Sequence, residues 1–99
     1  MLVAEVFVTT GRFHFETKHS VGFKDLEKAK AEFDRVADIV KRKAERKNDL
    51  PETIDLDGDA GTKVSVCTSD IATVGFLDYA LADANRKGLR DAFPNLMKI

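Results

Sequence analysis

Three carboxylates have the most suggestive spacing in the chain. Asp55, Asp57 and Asp59 alternate as the first ligands of a calcium-binding loop do. Counted from Asp55, however, the sixth position is Ala60 where such a loop needs glycine. The twelfth is Val66, where a bidentate glutamate belongs. These aspartates, with Gly58 and Gly61, therefore read as an acidic hairpin turn, because Asp and Gly supply turn geometry. No metal is assigned to them.

The other groups with chemical potential are scattered. His14 and His19 stand five apart on an extended segment and so face opposite ways. They cannot hold one ion together. Cys67 is the single cysteine, so no internal disulfide can form. As a nucleophile it would need exposure beside an imidazole. At the end of a regular strand, a small core or edge residue is the expectation. The glycines form neither a P-loop nor a dinucleotide fingerprint. Gly11-Arg12-Phe13-His14-Phe15 has the aromatic spacing of an RNA-binding strand, but Phe13 and Phe15 are expected to face the core. The βαββαβ order of that domain is also missing. No catalytic residue and no cofactor are assigned, and the chain is not expected to be an enzyme.

Charge placement carries more. The 99 residues have 16 basic and 17 acidic groups, so net charge points to neither a polyanion nor a membrane surface. Locally the balance breaks. Residues 24–47 hold nine basic and six acidic groups, and residues 48–62 hold five acidic groups and no basic one. Lys28, Arg35, Arg42 and Arg46 line one side of a helical wheel, and Lys41, Lys43 and Lys47 add to its basic end. Pairs such as Asp38–Arg42 and Glu32–Arg35 are expected to lace that side, at about 0.2–0.5 kcal/mol each. An acidic row beside the cations would repel a phosphate backbone, so a protein partner is expected ahead of nucleic acid.

These surfaces need elements to hold them. From Lys24 to Lys47 the apolar residues Leu26, Ala29, Phe33, Val36, Ala37, Val40 and Ala44 recur by threes and fours, the spacing of one helical stripe. Burying its large members is worth roughly 1.5–3 kcal/mol each before entropy. Asp25 and Glu27 suit its start, and Asn48 and Pro51 stop it. Residues 2–8 and 13–19 alternate as strands around Thr9-Thr10-Gly11-Arg12. That turn sets Val8 opposite Phe13 and Val6 opposite Phe15, with Ser20-Val21-Gly22 as a break before the helix. Residues 53–56, 63–67 and 71–76 read as three more strands. A helix follows from Asp78 to Lys87 or on to Phe93, ahead of Pro94.

The resulting expectation is a single α+β domain over 1–99, a two-layer fold of order ββα-βββ-α with the long helix on a mostly antiparallel sheet. The alternative joins residues 70–93 into one helix. Neither a leader nor an apolar run of about 20 residues is read from the sequence, so a cytoplasmic protein is expected. The function expected is a non-enzymatic interaction module, an adaptor or inhibitor of the kind carried on mobile genetic elements. It would bind a protein or nucleoprotein through Lys28, Arg35, Lys41, Arg42, Lys43, Arg46, Lys47, Asp55, Asp57 and Asp59. Alternatives are a nucleic-acid-associated protein using the basic stripe, or a small enzyme with its site at a dimer interface. A homodimer through residues 93–99 or a sheet edge fits the apolar tail.

Overall fold

The computed structural model describes residues 1–12, 15–46 and 49–92. The chain forms β1 (Ala4–Arg12), β2 (Phe15–Phe23), α1 (Leu26–Ala44), β3 (Thr53–Asp57), β4 (Lys63–Cys67), β5 (Ile71–Asp78) and α2 (Tyr79–Ala92), with a 3-10 turn at Thr68–Asp70. The α+β order ββα-βββ-α holds, and every strand pairing is antiparallel. The strands divide between two sheets, β2-β1-β5 and β3-β4.

Helix α1 begins where Asp25 accepts a hydrogen bond from the Glu27 N–H at 2.9 Å, the usual satisfaction of a free helical donor. It ends at Ala44 with Glu45 as its cap, and the next residue, Arg46, has a φ of 59°, the left-handed turn that closes many helices. Ala29, Val36 and Ile39 are buried, with Leu26, Phe33 and Val40 packed at the margin. The stripe thus extends to Ile39, while Ala44 is exposed. Beneath it lie Ala4, Val6 and Val8 of β1, Val21 and Phe23 of β2, Ile54 and Leu56 of β3, Val66 of β4 and Ile71 of β5. The Phe33 and Phe76 rings meet at 6.0 Å, in the tilted geometry aromatic pairs favour.

The first hairpin differs from expectation. β1 and β2 pair Val8 with His19 and Val6 with Val21, not with Phe13 and Phe15. The strands run past Thr9–Arg12, and β2 continues through Ser20-Val21-Gly22 without a break. Burial decides the register. The observed pairing hides Val21 and Phe23 at 1% and 4% exposure, and leaves Phe15 83% exposed. It also sets Glu5 opposite Gly22 rather than Glu16, removing a like-charge pair. Phe13 and His14 lie outside the described residues.

The two sheets are joined by a turn. Gly22, at the edge of β2, accepts from the Asp59 N–H at 2.7 Å and donates to Thr62 Oγ1 at 3.1 Å. Asp59 Oδ2 accepts from the Lys24 N–H at 2.7 Å. No helix among the described residues is long and apolar enough to cross a membrane.

Candidate interaction surface

The residues expected to meet a partner divide into those held inside the molecule and those left free. Arg35 bonds Glu32 at 2.6 Å, and its Nη2 donates to the Asp55 carbonyl at 2.6 Å. Glu32 in turn accepts from the Asp57 N–H at 3.4 Å. This ion pair therefore covers the outer edge of β3, supplying partners that a sheet edge otherwise lacks. Arg42 is shared between Asp38 and Asp49, each at 3.1 Å. Lys43 donates to the Ser69 and Ile71 carbonyls at 3.0 and 2.7 Å, tying the end of α1 to the start of β5.

The acidic residues are similarly occupied. Asp55 accepts from Ser65 Oγ at 2.6 Å, Asp57 lies 3.9 Å from Lys63, and Asp59 caps Lys24. They act as structural acceptors along a hairpin. No group of three His, Cys, Asp or Glu side chains converges among the described residues. Lys28, Lys41 and Arg46 are exposed and make no ion pair among the described residues. Lys47 lies outside them.

Cys67 is exposed and opens on a cleft of about 480 Å³ with Leu50, Pro51, Thr68 and Lys43. The Lys43 ammonium there is spent on two carbonyls, and no imidazole lines the cleft among the described residues. His19 instead shares a 2.9 Å hydrogen bond with Thr10.

Two features emerge that the sequence reading missed. On the sheet face turned away from α1, Glu5 accepts from Lys18 at 2.7 Å and from the Tyr79 hydroxyl at 2.9 Å. Lys18 also lies 4.6 Å from the centre of the Phe7 ring, a cation–π contact. That ring covers Gly75, where an added Cβ would collide with it. Partial burial pushes the Glu5 carboxyl up, but the hydrogen bonds from Lys18 and Tyr79 and the Lys18 charge outweigh it. The group is held below its ordinary 4.5. The same bond, with burial and the Glu5 charge, raises Tyr79 above 10.0.

A pH dependence follows. The Glu5 contribution to stability is full above 4.5 and is lost as pH falls through its lower folded value. The Tyr79 contribution is full below 10.0 and fades as pH rises through its raised value. Melting temperature against pH should therefore show wild type losing its advantage over Glu5→Gln on the acid side. A constant gap down to pH 2 would contradict the assignment.

The second feature is an edge. Tyr79 N–H donates to the Val3 carbonyl at 3.0 Å, one rung beyond the Ala4–Asp78 pair. Bonded and non-bonded pairs alternate in an antiparallel ladder, so Leu77, Gly75 and Thr73 direct their N–H and C=O toward β1. Val74, Phe76 and Asp78 direct theirs outward. β5 is the outer strand of its sheet, and no hydrogen bond from another described element reaches those groups. The ladder slips between Thr9 and Thr10, skipping Ala72, so the regular edge runs from Thr73 to Asp78. It has no Lys, Arg or Pro to blunt it.

Helix α2 leaves the end of this edge. Asp78 accepts from the Leu81 N–H at 3.2 Å and so caps it. From Asp83 to Gly88 its side chains are exposed, and Leu81 is 59% exposed. Compared with known proteins, the chain matches no family model, no curated protein and no solved structure.

Proposed function

We propose that this chain is a protein-interaction module that acts by contact rather than turnover, adding a partner's extended strand to the open edge of β5. The observation that carries this is the run of outward backbone groups at Val74, Phe76 and Asp78. Strand addition draws affinity from such main-chain bonds. Lys28 and Lys41, exposed on opposite flanks of the buried stripe of α1, and Arg46 just beyond its end add charge that steers encounter. Arg35, Arg42 and Lys43 are already committed within the fold, and this favours a protein partner over a phosphate backbone.

A test uses sparsely immobilised chain and a random-peptide display library. Selected peptides should be extended and rich in β-branched residues. They should bind Val74→Pro at least about tenfold more weakly, because proline removes an outward donor that the β1 ladder does not use. Val74→Ala keeps that donor and should bind nearly as wild type does. Peptides that bind all three equally, or that depend on Lys28 and Lys41 instead, would overturn the edge as the site.

A further inference from the structure

Resting on that reading, we infer that the strand taken up by β5 is the β5 of a second copy, paired antiparallel about a two-fold axis near Gly75 and Phe76. Two three-stranded sheets then become one continuous sheet. Such an interface is the same patch on both chains, so each outward N–H finds the other copy's carbonyl.

Charge permits this pairing. Thr73 to Leu77 carry no charged side chain, so no like charges oppose at the centre. The two Asp78 carboxylates fall at opposite ends, about 15 Å apart at the rise of a strand.

Area asks for more than the strands. A standard interface covers roughly 800 Å² on each partner, beyond what six paired residues supply. The remainder is available beside the edge. Met1, Val3 and Leu81 are 102%, 37% and 59% exposed, and the Val3–Tyr79 bond places them where β5 passes into α2. With Phe15, they are the large apolar residues most exposed among the described residues.

Helix α2 supplies a separate reason. A helix shorter than about 12–15 residues is marginal in water even with favourable composition. At 14 residues, with exposed Gly88 in its interior, α2 needs packing along its length. The body lies beside its first two turns only, where residues 1–3 and Leu77 share a cleft with Tyr79 to Arg86. A second copy seated on β5 brings further surface to the same place.

The experiment is sedimentation of the full chain over a concentration series, with hydrogen exchange read at the Val74 and Phe76 amides. Wild type should approach twice the 11.0 kDa of one chain, and those amides should be protected only when concentrated. Val74→Pro should raise the dissociation constant at least about tenfold while Val74→Ala leaves a dimer. A chain that stays monomeric, or a Val74→Pro that dimerises as wild type does, would overturn the proposal. A monomer whose amides become protected on adding a selected peptide would refute the second copy yet keep strand addition. A dimer and peptides both indifferent to Val74→Pro would refute both. Protection unchanged by dilution in a monomer would assign the edge to a segment of the same chain, again against the proposal.

Discussion

Val36→Asp is expected to leave no cooperative thermal transition at neutral pH. Val36 is 0% exposed, in the cluster shared by α1 and both sheets. The described residues of that cluster are apolar, so an ionised carboxylate there meets no cation among them, and burying one unpaired costs several kcal/mol. A domain of this size holds about 5–15 kcal/mol in total, so most of the folded population should be lost. The comparison variant is Lys28→Asp, also on α1 but exposed. Surface changes of that kind stay within about 0.5 kcal/mol. Circular dichroism melts of both variants check the result. A sharp melt for Val36→Asp near the wild-type temperature would mean that the two sides of α1 have been exchanged.

Gly58→Ala should lower the melting temperature by about 12–24 °C, on the scale of about 3 kcal/mol for a domain this small. A Cβ at Gly58 would lie 2.5 Å from the Gly22 carbonyl oxygen, 2.9 Å from Val21 Cβ and against Thr62 Oγ1. Backbone cannot yield as a side-chain tip does, so the turn must withdraw from β2. That withdrawal breaks the Asp59–Gly22, Gly22–Thr62 and Lys24–Asp59 hydrogen bonds, each worth about 0.5–1.5 kcal/mol net. Gly88→Ala meets nothing within 4 Å and lies inside α2. It should instead stabilise by up to about 1 kcal/mol. Equal melting temperatures for the two variants would dissolve the argument that the sheets join through this turn.

What could be read from residues alone was the part governed by local periodicity. Helix α1 declares itself through an acidic cap, a recurring apolar stripe and a basic last turn, all within one segment. The β3–β4 hairpin does so through alternation either side of Asp-Gly-Asp. Turn chemistry placed the closure of the first hairpin at Thr9–Arg12, whereas the observed ladder continues to pair Arg12 with Phe15. The competing term was non-local. Only the observed register slides Val21 and Phe23 beneath α1, and that gain is invisible until the helix is in place.

The candidate surface was hidden for a related reason. Charges on α1 were visible, but their use by the Asp55, Ser69 and Ile71 carbonyls depends on which loops pass beneath them. Glu5 and Tyr79 lie 74 residues apart, and no spacing rule connects them. The β5 edge required knowing that β1, not β4, is its neighbour. The expectation that Phe15 packs inside, which weighed against an aromatic recognition strand, fell with the register.

The place of β1 in the middle of its sheet has a consequence for biosynthesis. The central strand is translated well ahead of the strand that completes it, residues 71–78. At about 5–20 residues per second, one side of the growing hairpin waits several seconds for its permanent neighbour. During that interval the nascent chain is most vulnerable to mispairing between ribosomes, and chaperone demand should peak there. A circular permutant that moves 71–78 ahead of β1 would shorten the wait and should raise the soluble yield without altering the finished molecule.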